Sequence, residues 1–161
     1  MRSSATALIL ALTFSCSNPT VPATSTQPAE LADKPRVIFP DGYVVRVELV
    51  ADDEARAKGL MFRDHLRDGT GMLFLFPATG EYPFWMKNTL IPLDMIWIDE
   101  QRRIVHVKTD VPPCQADPCP SYAPGVPARY ILEVSAGVAR QHQLGPGNVL
   151  RFENVEGVVV R

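Results

Sequence analysis

The chain lacks an excess of charge of either sign, lacks a recognisable nucleophile motif, and has almost no cysteine. Sixteen Lys and Arg against eighteen Asp and Glu leave a formal net charge of −2, without the positive surplus that nucleic-acid binding calls for. There is no Gly-x-Ser-x-Gly elbow, phosphate-cradling glycine loop or metal-binding helix motif, so the common hydrolase, nucleotide and zinc-peptidase signatures are absent. The three histidines, His65, His106 and His142, are scattered, and none stands at ligand spacing from a cysteine. That pattern disfavours a zinc site, and no metal and no cofactor are expected. No repeat period is visible.

What is present describes one ordinary globular domain: 161 residues, 46% hydrophobic and 21% charged. Proline is the outlier, with 15 residues against an average usage of roughly 5%. Many of the prolines fall between residues 19 and 40 or 112 and 127, marking a linker and a long loop.

The longest apolar run, residues 5–14 behind Arg2, is too short to span a bilayer and is followed by Ser15 and Cys16. This is the pattern of a secretory signal, expected over residues 1–16. Cys16 resembles the acceptor of bacterial lipoproteins and is the expected lipid-attachment residue. Thr13 stands where that motif usually has leucine, so ordinary cleavage near Ser15 is the alternative. Residues 17–35, rich in Pro, Thr and Ser, cannot bury a core and form an expected tether. The expected location is therefore exported, either periplasmic or held to a membrane through Cys16 alone.

Cys114 and Cys119 bracket a proline-rich loop. In an exported protein the simplest outcome is a disulfide, with a redox pair or a metal site as alternatives. Closing so short a loop contributes only about 2 kcal/mol by chain entropy, which pins the loop without making the fold.

Residues 36–39 and 43–50 flank the turn signal Pro40-Asp41-Gly42 and form an expected hairpin. Asp52 can cap a short helix over 53–58 that Gly59 stops, delivering the apolar side chains of Leu60-Met61-Phe62 to the core. Residues 72–76 are apolar on both faces and predict a buried strand, followed by a loop over 77–83. Short strands are expected at 84–86, 93–98, 103–108, 129–134, 149–153 and 155–160, with a helical turn over 135–142. Around eight or nine short strands and two short helices in residues 36–161 make the fold class mainly β, a single-domain β-sandwich or partly closed barrel.

Gly59-Leu60-Met61-Phe62-Arg63, Gly71-Met72-Leu73-Phe74, Phe84-Trp85-Met86-Lys87-Asn88-Thr89, Ile91-Pro92-Leu93-Asp94 and Leu132-Glu133-Val134-Ser135-Ala136-Gly137 resemble, in that order, the hallmarks of the domain of unknown function 192 family. The resemblance covers roughly residues 37–160. It implies a compact β domain of sandwich type, often exported in bacteria, with no defining enzymatic activity. One departure is Asn148, where many members have an acidic residue after the glycine of the C-terminal turn.

Polar residues inside apolar runs are the candidates for chemistry, because such groups need partners. Lys87 and Asn88 sit between Met86 and Leu90. Asp94 lies in a strand apolar on both faces, where it either meets a cation, with Lys87 and Arg63 the nearest motif candidates, or bonds backbone N–H groups at the bend after Pro92. Glu133 can complete a site with Lys87 or pair with an arginine, against the plainer expectation of a solvent-facing position on an alternating strand. Trp85 and Trp97 form either a stacking platform or, as is commoner at strand spacing, part of the core.

The favoured function is a non-catalytic cell-envelope domain that binds a small molecule, glycan or envelope protein around Lys87, Asn88 and the cysteine loop, as a monomer. One alternative is an acid–base hydrolase or transferase using Asp94 and Glu133 with Lys87, which requires all three in one open pocket. Another is a structural or assembly factor. No residue is assigned a catalytic role.

Overall fold

The computed structural model describes residues 34–161, so the expected signal peptide, Cys16 and most of the tether lie outside the described residues. The elements run β1 (Arg36–Ile38), β2 (Val44–Val50), α1 (Asp53–Lys58), β3 (Thr70–Gly80), β4 (Phe84–Trp85), β5 (Leu93–Ile98), β6 (Ile104–Val111), β7 (Ser121–Tyr122), β8 (Ala128–Ser135), α2 (Val138–Gln141) and β9 (Arg151–Glu153). Seven strands form one sheet in the order β6-β5-β8-β3-β2-β1-β9, curled into a half-barrel, and β4 and β7 form a separate pair. The mainly β class and the two short helices match the sequence expectation.

The β2–β3 pair is parallel and its neighbours are antiparallel. A parallel pair needs a crossover, which here consists of α1 and residues 59–69. That crossover lies over one face of the sheet and carries the first family motif with it.

Both faces of the sheet are covered, and all six residues of β5 are buried. One face, with Val45, Val47, Leu73, Ile96, Leu132 and Val134, packs under α2 and the C-terminal residues; we call it the helix face. The other, with Met72, Phe74, Met95, Trp97 and Ile131, packs under Leu60, Met86, Phe84 and Tyr122; this is the loop face. Trp97 is fully buried there and donates its indole N–H to the Tyr82 carbonyl at 2.9 Å.

Helix α1 has the ends expected of it. Asp52 accepts from the Ala55 N–H at 2.9 Å, and the Gly59 N–H donates to the Ala55 carbonyl. Gly59 has φ +47°, and a Cβ there would lie 3.2 Å from the Phe74 ring. Gly59→Ala combines backbone strain with this crowding and is expected to cost about 1–2 kcal/mol, read as a lowered urea midpoint with an unchanged m value.

Two expectations fail for identifiable reasons. The loop expected over 77–83 is in part strand, because β3 continues through Pro77 to Gly80. A register shift between Leu75 and Gly80 breaks the ladder where proline has no N–H to offer. Residues 155–160 are not a strand: Asn154 at φ +57° and Gly157 at φ +82° turn the chain, while Val155, Val158 and Val160 pack on the helix-face core without ladder bonds. The pairing of β7 with β4 was not foreseen. Cys114 and Cys119 are joined as a disulfide, with Cα atoms 5.6 Å apart.

Candidate functional site

The motif segments meet on the loop face. The Gly59 stop sends only Leu60 fully inward; Met61 is half-buried and Phe62 is 68% exposed. Phe62 has φ +64° and Asn88 φ +55°, a left-handed conformation that costs a bulky residue roughly 1–2 kcal/mol. The two turns hold one another: the Phe62 N–H donates to the Asn88 carbonyl at 2.8 Å, and the Asn88 amide lies 3.7 Å from the Met61 sulfur.

Arg63 does not reach Asp94. It forms a two-pronged pair with Glu48 at 2.5 and 2.6 Å, which raises the Arg63 pKa and lowers that of Glu48, in each case chiefly through the side-chain hydrogen bond. Lys87 does not reach Asp94 either. Its Nζ is 3.7 Å from Asp117 in the disulfide loop and 5.6 Å from the Trp85 ring centroid. Trp85 is half exposed, so the two tryptophans separate into one core residue and one surface residue.

Asp94 is completely buried on the helix face. One carboxyl oxygen accepts from the Asp110 N–H and the other from the Ala139 N–H, both at 2.8 Å. Its partners are backbone N–H groups, but they belong to a bulge in β6 and to the first turn of α2, not to the bend after Pro92.

Glu133 is 4% exposed, which corrects the solvent-facing expectation. It pairs in register with Met72 on β3 and with Met95 on β5, and residues paired in this way project to the same face. Its carboxyl has no hydrogen-bond or ion-pair partner among the described residues, and desolvation raises its pKa from 4.5 to about 8. Every fully sealed side-chain polar atom among the described residues has a partner, so the carboxyl oxygens retain a sliver of solvent contact.

Asp94 is in register with Val134, and its neighbour Met95 with Glu133. The two carboxyls therefore project to opposite faces of the sheet, and Lys87 joins neither. The acid–base arrangement of Asp94, Glu133 and Lys87 is not assembled.

The surface around Lys87, Asn88, Cys114, Asp117 and Cys119 is a shallow hollow of ≈ 180 Å³. A larger groove of ≈ 850 Å³ runs between β2 and residues 62–67, lined by Arg46, Glu48, Phe62, Leu66, Arg67 and Thr70. Arg46 and Arg67 were not singled out in the sequence; nothing local distinguishes them from any solvated arginine. Asn148 accepts from the Gly145 N–H at 2.9 Å and so shapes its own turn.

The arrangement defines a β domain with an open groove and an inward-facing carboxyl. Residues 36–152 match the family model DUF192, described as Uncharacterized ACR. The chain belongs to the domain of unknown function 192 family. It is similar to a solved structure of a proposed transcription regulator from Sinorhizobium meliloti 1021, with 32% identity, 75% of this chain and 93% of that one covered, and a TM-score of 0.66. It is also similar to a protein of unknown function from Novosphingobium aromaticivorans DSM 12444, with 34% identity, 73% and 82% covered, and a TM-score of 0.64. No curated protein matches the chain. The family and these neighbours carry no specific role over to it.

Proposed function

We propose that this is a non-catalytic cell-envelope domain that binds a small molecule or glycan bearing an anionic group, and that the ligand lies in the groove between β2 and residues 62–67. The observation that carries the proposal is the composition of that groove. Arg46 and Arg67 line it with no ion-pair partner among the described residues, next to Phe62, an aromatic held in solvent by a strained backbone. Strain of this kind persists only where surrounding bonds impose it, and it gathers at binding sites. The envelope location is supported by the signal-like N-terminus and the Cys114–Cys119 disulfide.

A thermal-shift screen of acidic metabolites and anionic oligosaccharides tests the proposal on wild type, Arg46→Ala/Arg67→Ala and Lys87→Ala. A ligand that raises the wild-type melting temperature is expected to lose at least tenfold in affinity in the arginine variant and to bind normally to the lysine variant. If no anionic compound shifts the wild type, or if the arginine variant responds equally, the groove is not the site. If only Lys87→Ala loses the response, binding belongs to the disulfide-loop hollow.

A further inference from the structure

We propose that Glu133, Met72 and Met95, with Met86 as a third sulfur donor, form a binding site for a soft monovalent cation of the Cu(I) or Ag(I) class. The register alone places the first three together: Glu133 on β8 stands directly between Met72 on β3 and Met95 on β5, all on the loop face. Met86 is buried in the same packed cluster as Met72 and Met95. Met61, the remaining methionine of residues 34–161, lies above this face on the turn tied to Asn88. The helix-face core contains no methionine and is built mainly of Val, Leu, Ile and Phe. Core filling alone does not call for that segregation, since Leu and Ile serve a β core equally well.

The carboxyl points to a charged occupant. Glu133 is buried among apolar side chains, yet among the described residues no arginine, lysine or backbone N–H approaches it, and an unpartnered buried carboxyl requires an explanation. One carboxylate and one monovalent cation cancel in a low-dielectric setting, whereas a divalent ion would leave a net charge there. Calcium and magnesium need six or more oxygen donors, and the second buried carboxyl, Asp94, faces the other side of the sheet. Zinc prefers thiolate or imidazole, and this set contains neither. Thioether sulfurs select Cu(I) and its close analogue Ag(I). The scattered histidines and paired cysteines that spoke against a metal in the sequence do not bear on a thioether set.

Silver(I) titration of the purified protein, labelled with ¹³C at the methionine methyls, tests the site without a reductant that would open the Cys114–Cys119 disulfide. The expected result is saturation at one equivalent, with the Met72 and Met95 methyl resonances moving together. Affinity should fall at least tenfold in Glu133→Gln and in Met72→Leu/Met95→Leu, both keeping the wild-type circular dichroism spectrum, and remain unchanged in Met61→Leu. Unmoved Met72 and Met95 methyls overturn the proposal, including the case in which silver binds elsewhere, for instance at a Cys16 thiol or at Met61 alone. Wild-type affinity in both the Glu133 and the double methionine variants overturns it as well.

Discussion

Asp94→Ala is expected to lower the unfolding free energy by about 3–6 kcal/mol, from two hydrogen bonds to a buried carboxyl at roughly 1.5–3 kcal/mol each. The side chain acts as a cap supplied from a distance. Gly137, at the N-cap of α2, has φ +91° and no side chain to bond the first turn, so the Asp94 oxygen takes the Ala139 N–H that an N-cap serine or aspartate would otherwise take. Its other oxygen takes the N–H of Asp110, a residue at φ +53° in the bulge where β6 slips register against β5. Arg140 of α2 pairs with the Asp110 side chain, so one carboxyl ties a strand, a bulge and a helix together. Asp94→Asn keeps one acceptor but turns an amide N–H toward the second donor, and should recover less than half of the loss. Urea unfolding gives the magnitude, and hydrogen exchange gives the mechanism: the Ala139 and Asp110 amides should lose protection ahead of their neighbours. A loss below 1 kcal/mol, or full protection of both amides in the alanine variant, would show that the carboxyl is not the cap.

The local part of this fold was legible and the long-range part was not. Asp52 and Gly59 bound α1 within eight residues, and the apolar run of β5 needed no tertiary information to be read as a buried strand. Asp94 was recognisable as a buried carboxyl that bonds backbone N–H groups or a cation, but its partners lie 16 and 45 residues onward, at positions with no sequence mark. Alternation on β8 made a solvent-facing Glu133 the plainer expectation, because nothing local says that Leu60 and Leu66 of the crossover after β2 pack on that face. The exposure of Phe62 follows from a left-handed φ fixed by the carbonyl of Asn88, 26 residues away, so an aromatic in an apolar motif was assigned to the core. Residues 155–160 show the opposite error: valine content favours a strand, but β9 already occupies the outer side of β1, and turns at Asn154 and Gly157 leave the valines to pack without a ladder.

Glu133→Gln is expected to stabilise the protein at neutral pH, an unusual sign for a substitution at a buried position. The folded-state pKa of about 8 lies above the ordinary 4.5. Below about pH 4.5 the side chain is protonated in both the folded and unfolded states and adds no pH dependence. From 4.5 to 8 the unfolded chain releases a proton that the folded one retains, so wild-type stability falls by roughly 1.4 kcal/mol per pH unit, levelling off above 8. The accumulated loss is about 3 kcal/mol at pH 7, an upper limit because the solvent at the carboxyl screens part of it. Glutamine has nearly the same shape and no proton to release, so its variant should match wild type near pH 4 and exceed it by up to about 3 kcal/mol at pH 7. Chemical denaturation from pH 4 to 9, in the presence of a chelator, reads the difference directly. Equal pH slopes for the two proteins, or a glutamine variant less stable than wild type at pH 7, would mean that Glu133 is ionised and has a partner in the folded state. The expected slope instead marks a carboxyl kept neutral by its surroundings, between Met72 and Met95, at a cost in stability that packing on the loop face does not require.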